Sequence, residues 1–198
     1  MQKITTIEDL RVKYKAKVPK MFYDYTESGS WTQQTLKDNS SDFKLLKLRQ
    51  KVAVDMSNRT TKSTMVGNEV TMPVALAPVG LTGMQSADGE IKAAKAAERF
   101  GIPYTLSTMS ICSIEDVAKN TNSPFWFQLY VMKDEDFLSA IIERARNANC
   151  SALVLTLDLQ LLGQRHLDIK NGLSVPLKIS LRNLIDAATK PIWCAQML

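Results

Sequence analysis

The sequence contains one histidine and three cysteines in 198 residues. Cys112, Cys150 and Cys194 form no CxxC pair, and none stands at metal-ligand spacing from His166. That scarcity excludes a zinc finger, a zinc ribbon and a disulfide scaffold, so no metal is expected. An odd cysteine count at wide spacing instead points to reduced thiols and a cytoplasmic setting. No run approaches 18 apolar residues, which excludes a spanning helix. Met1-Gln2-Lys3-Ile4-Thr5 does not read as a signal peptide. There are only eight glycines and no GxGxxG turn, and Gly80-Leu81-Thr82-Gly83 lacks the dinucleotide spacing.

What is present is a globular composition, 45% apolar and 23% charged, long enough for one sizeable core. The net charge of +5 is concentrated in Arg11, Lys13, Lys15, Lys17 and Lys20, interleaved with apolar residues at helical spacing. This predicts a solvated helix face, with weak attraction to anionic lipid as the sharper alternative. No recognition motif accompanies the charge, so nucleic acid is not an expected partner.

The first 60 residues read as helices and loops. Thr6 precedes Glu8 and Asp9 and predicts a capped helix through Ala16. Pro19 opens a second helix through Tyr25, ended by Gly29, and Thr32–Phe43 suggests a third. From residue 70 the texture changes to strand, helix, strand, helix. Strands are expected at Val74–Ala77, Tyr104–Ser107, Phe125–Tyr130 and Ala152–Leu157. Helices are expected at Ala87–Phe100 with Gly101 as its stop, from the Ser113-x-x-Asp116 cap, and over Asp134–Asn149. Apolar strands alternating with helices argue for parallel βα units. Pro78, Ser107, Gln128 and Thr156, near the strand ends, are 29, 21 and 28 residues apart. That period suits a (β/α)₈ barrel, and a doubly wound sheet fits almost as well. A barrel takes about 250 residues, so on the first reading four units are about half of one.

Parallel α/β folds build sites at the carboxyl ends of their strands. Here those ends carry Ala77-Pro78-Val79-Gly80, Ser107-Thr108, Gln128 with Tyr130, and Thr156 with Asp158. Each taken singly could simply cap a helix or bond a loop. Together they suit a planar heterocycle with polar edges and apolar walls, such as a flavin.

The stretches Pro19–Tyr25, Ala77–Leu81, Thr105–Thr108, Phe127–Tyr130 and Leu155–Asp158, followed by Leu162–His166 and Lys170–Gly172, are similar to the FMN-dependent 2-hydroxy-acid oxidases and dehydrogenases in order and spacing. Met109–Ser113 and Leu157–Gln160 resemble the bacterial L-lactate dehydrogenases more than the glycolate oxidases. The resemblance implies a TIM barrel, an α/β fold, represented here by N-terminal helices (residues 1–60) and about four βα units (residues 70–198). It implies that FMN lies against the backbone of Ala77, Pro78 and Val79, with Ser107, Gln128 and Thr156 bonding its polar edges. Tyr25 would hold the substrate carboxylate, and Tyr130 the carboxylate or hydroxyl; Arg165 would stand near the substrate mouth. Asp158 would pair with a base histidine and stabilise its imidazolium.

The resemblance further implies oxidation of a short L-2-hydroxy acid, most directly L-lactate to pyruvate, with electrons passed to a respiratory acceptor. Homo-oligomerisation and peripheral association with the inner face of the cell membrane are expected of the intact protein. His166 is expected to be a solvated loop residue rather than the base, which in the family lies beyond a fifth and sixth strand. The family's flavin-facing lysine, clamping arginine and phosphate glycines also lie beyond this stretch. A glycolate or other 2-hydroxy-acid oxidase, or a non-catalytic half-barrel dependent on a partner, stays open. A half-barrel would expose strand edges and uncover residues such as Leu76, Leu106, Phe127 and Leu155, expected to fill the barrel centre, so self-association and weak FMN binding follow.

Overall fold

The computed structural model describes residues 3–174 and 176–197. The chain divides into two compact units, one made of residues up to Val54 with those from Leu161 onward, the other Asp55–Gln160. Residues after 160, expected on the barrel side of the chain, thus pack with the N-terminal helices.

In the first unit, α1 (Ile7–Lys17) starts at Thr6, whose hydroxyl accepts from Asp9 N–H while Asp9 closes a capping box. Its Arg11 reaches Glu8, Glu27 and the Tyr23 hydroxyl, and Lys15 sits over the Tyr23 ring. Arg11 and Lys15 are therefore partnered within this unit. Next come α2 (Lys20–Glu27), α3 (Gln34–Ser41) and a 3₁₀ turn, Asp42–Leu45. The cap of α2 is Ser28, in extended conformation, one residue before Gly29.

The second unit opens with a hairpin that the sequence does not announce, β1 (Ser63–Met65) and β2 (Asn68–Val70). Val66 and Gly67 turn between them with φ of 47° and 79°, the left-handed pair of a tight two-residue turn. The short α4 (Thr82–Gln85) and the longer α5 (Gly89–Phe100) follow, the latter capped by Gly101 at φ 80°. Then β3 (Thr105–Ser107), α6 (Ile114–Asn120), β4 (Trp126–Tyr130), α7 (Glu135–Asn147) and β5 (Ala152–Thr156) alternate. The strands form one parallel sheet in the order β3-β4-β5. The first expected strand is reduced to a parallel bridge between Leu76 and Tyr104. Leu76 donates to the Pro103 carbonyl and accepts from Thr105 N–H, but Pro73 and Pro78 on either side have no N–H to extend the ladder.

The pleat gives the sheet two unlike faces. Leu106, Phe127 and Leu129 point to one face and bury against Ala94 and Ala97 of α5, Val117 of α6, and Ile141 and Ala145 of α7. Thr105, Ser107, Gln128 and Thr156 share the other face by register and alternation. Leu106 and Phe127, expected to fill a barrel centre, belong to the helix-facing core, 0% and 1% exposed. A wholly apolar strand does not say which side faces the helices; the polar residues flanking these leucines and phenylalanine decide it. Leu153 and Leu155, on the helix-facing side of the edge strand β5, are about half exposed.

The chain then returns to the first unit with α8 (His166–Asn171), α9 (Leu181–Ala188) and α10 (Pro191–Met197). Phe22 of α2 meets Trp193 of α10 at 5.6 Å, and Asp186 of α9 accepts the backbone N–H of Lys20.

Candidate functional site

Ser107, Gln128 and Thr156 form a continuous hydrogen-bonded row across the three strand ends. Ser107 Oγ donates to Gln128 Oε1 at 3.2 Å, and Gln128 Nε2 donates to Thr156 Oγ1 at 2.7 Å. The Thr108 backbone N–H, which also donates to Gln128 Oε1 at 3.3 Å, fixes the amide with oxygen towards β3 and nitrogen towards β5. Gln128 is 1% exposed, so losing Thr156 would leave its buried amide nitrogen without an acceptor. Thr108, one of the strand-end groups but given no role from sequence, completes the row. Its Oγ1 donates to the Gln128 carbonyl at 2.5 Å and accepts from Tyr130 N–H at 3.2 Å. A hydroxyl directly after a short strand was the available signal.

Neighbouring strands lie about 4.8 Å apart, so the row extends over about 10 Å, the scale of a flat fused-ring heterocycle. Hydroxyls and an amide offer donors and acceptors without formal charge, which matches a flavin's polar edge. Ala77, Pro78 and Val79 form an exposed loop just after the Leu76 bridge. The residues present therefore fit the ring portion of FMN. Tyr130 ends β4 half-buried, in register with Thr156, and Asp158 lies exposed two residues past β5. The same unit thus gathers every expected cofactor residue, together with Tyr130 and Asp158.

Glu90 is the residue that sequence reading passed over. It sits in the first turn of α5, where an acid ordinarily serves the helix dipole. Here it is fully buried, and Oε1 accepts from Gly83 N–H at 2.9 Å and Ile111 N–H at 3.0 Å. Burial raises its pKa, but those two N–H groups and the Cys112 thiol outweigh it, leaving a net lowering. The thiol is itself pushed up to about 11, chiefly by burial and then by the carboxylate.

Tyr25 and Arg165 meet in the first unit. The Arg165 guanidinium lies 5.1 Å from the Tyr25 ring centroid, donates to the Tyr25 carbonyl and to Ser28 Oγ, and pairs with buried Asp168. Arg165 Nε and Nη2 are thus engaged by Asp168, the Tyr25 carbonyl and Ser28, which tie the guanidinium to Tyr25. His166 corrects the loop expectation. It is the first residue of α8, exposed, and meets the Trp31 ring edge-on at 5.8 Å.

The family described as FMN-dependent dehydrogenase matches residues 14–198. An L-lactate dehydrogenase of Vibrio parahaemolyticus is 43% identical over 190 residues, covering 96% of this chain and 50% of that protein. The crystal structure of the monotopic membrane protein (S)-mandelate dehydrogenase superposes with a TM-score of 0.93 at 33% identity, over 98% of this chain and 52% of that one. That of a mandelate oxidase gives 0.83 at 28% identity, over 94% and 55%. The chain spans about half the length of the curated relatives it matches. The parallel βα order is thus that of a (β/α)₈ flavoenzyme, without barrel closure among the described residues.

Proposed function

The chain belongs to the FMN-dependent dehydrogenase family, and from that premise we propose that its protein oxidises a short L-2-hydroxy acid, most directly L-lactate to pyruvate. The observation that carries this reading is the Ser107–Gln128–Thr156 row at the carboxyl ends of three parallel strands. When bound, FMN supplies a two-electron acceptor for the oxidation of the hydroxyl-bearing carbon.

In this reading Ser107, Gln128 and Thr156 orient the flavin's polar edge, and the Ala77–Pro78–Val79 backbone lies against its ring. Tyr25, held by Arg165, binds the substrate carboxylate, and Tyr130 binds the carboxylate or hydroxyl. Asp158 orients and stabilises the base histidine, which belongs to the portion of the relatives outside this chain. His166, exposed and set against Trp31, is not that base. Residues 1–198 constitute the N-terminal half of one domain, in which the βα units up to Thr156 contribute to the barrel and the residues from Leu161 onward belong with the N-terminal helices. Electrons leave to a respiratory acceptor, and the intact protein is a homo-oligomer.

In this reading the protein is cytoplasmic and peripheral to the inner face of the cell membrane. No helix among the described residues is long and apolar enough to cross a membrane. Leu181, Leu184 and Ile185 of α9 are each more than half exposed on an amphipathic helix, which suits lying on a bilayer.

The open edge and half-bare face of β5 favour a second reading, in which these residues act only with further strands from elsewhere. Lactate-dependent dye reduction decides between them. Turnover by the 198-residue chain alone would refute both the partner-dependent reading and the placement of the base outside it. Absence of lactate or glycolate turnover by the FMN-loaded full-length protein would refute the enzyme reading.

A further inference from the structure

We propose that Glu90 is a positioning residue that locks the loop after Leu76 to the loop after β3, and so sets the backbone beside the flavin; this rests on the flavin reading above. The two loops leave neighbouring positions in the sheet, since Leu76 bridges to Tyr104 and β3 begins at Thr105. Both leave from the carboxyl side, where Val79 and Ser107 stand.

One oxygen of Glu90 accepts from both loops at once, from Gly83 N–H at 2.9 Å and from Ile111 N–H at 3.0 Å. Leu81 N–H donates to the Met109 carbonyl at 3.0 Å, a second tie beside the first. Glu90 is 0% exposed, and its carboxylate also faces the Cys112 thiol. A buried carboxylate is costly, and charge-assisted bonds to backbone N–H groups offset that cost only while both loops stay in place. The closeness is recorded at Gly83. A Cβ there would come within 2.6 Å of Ile111 Cβ and 3.0 Å of Glu90 Oε2, so no side chain fits between the loops. The link reaches the cofactor residues through short tethers. Val79 O accepts from Thr82 Oγ1 at 3.0 Å, directly before Gly83, and Ser107 Oγ accepts from Met109 N–H at 3.1 Å, two residues before Ile111.

The test uses the full-length protein with and without FMN. Glu90→Ala should raise amide exchange at Gly83 and Ile111 at least tenfold, with β4 and β5 unchanged. FMN affinity should fall at least tenfold, with an altered visible circular dichroism band of the bound flavin. Glu90→Gln keeps an acceptor oxygen and should restore affinity to within about threefold. Gly83→Ala wedges the same loops apart and should reproduce the Glu90→Ala signature, which covers the case in which Glu90→Ala does not fold. Unchanged exchange at Ile111 in Gly83→Ala, or exchange raised evenly through all strands in Glu90→Ala, would overturn the proposal. Failure of the unsubstituted protein to bind FMN would instead overturn the functional reading, and the loop linkage would still be decided by exchange in the FMN-free protein.

Discussion

Gln128 donates to Thr156 Oγ1 at 2.7 Å, although its register partner on β5 is Val154. The side chain leans along the strand by two residues, and the site therefore depends on a diagonal contact between neighbouring strands. Thr156→Val keeps the shape and removes the acceptor. The buried amide then lacks a partner, at a cost of about 1–2 kcal/mol. Melting should fall accordingly and the FMN dissociation constant should rise about tenfold, both read from titrations of the full-length protein. Unchanged affinity would remove Thr156 from the flavin edge.

Arg165→Met should separate support from contact. The substitution leaves Asp168, 8% exposed, without its cation and frees the Tyr25 backbone. A stability loss of roughly 2–3 kcal/mol is expected, at the lower end for a buried pair because the arginine is partly exposed. The Michaelis constant for lactate should rise through displacement of Tyr25. A raised Michaelis constant with no change in melting would return Arg165 to direct substrate binding.

Glu115 and Arg144 join α6 to α7 by two bonds, at 2.7 and 2.8 Å. Bonding to the arginine lowers the Glu115 pKa from 4.5 to about 2. Because the folded pKa is depressed, the pair's contribution is fully present above pH 4.5 and disappears as pH falls towards 2. Both side chains are about half exposed, so the contribution should be no more than about 0.5 kcal/mol and should shrink in salt. Comparing denaturant midpoints of Glu115→Gln and the unsubstituted protein at pH 6 and pH 3 tests it; the difference should narrow at the lower pH.

The isolated 198-residue chain should self-associate. The outer edge of β5 has no partner among the described residues, and Leu153, Leu155 and Leu157 are 48%, 50% and 71% exposed. Apolar edge strands recruit other edges. Sedimentation at several concentrations checks this, and a concentration-independent monomer with a sharp cooperative melt would contradict it.

Local signals were legible where one residue type has one use. Thr6 with Asp9 and Ser113 with Asp116 cap helices in the structure, and Gly101 ends α5. The βα alternation and the strand ends were readable for the same reason, because apolar runs with polar termini have few alternative uses. Leu106 and Phe127 were misplaced because uninterrupted apolarity says that a residue is buried and not which side buries it. Glu90 was invisible because an acid at a helix start has an ordinary explanation. The role of Arg165 depends on Tyr25, 140 residues earlier, and no local pattern encodes that contact.

The two-faced sheet also limits how the gene can change length. One residue inserted or lost within 105–107, 126–130 or 152–156 would rotate every later side chain in that strand to the opposite face. In β4 such a slip would turn Gln128 into the helix layer and a phenylalanine into the polar row. Insertions and deletions in this family should therefore be absent from those segments and collect in the exposed turns, such as residues 131–134, where added chain does not disturb the alternation.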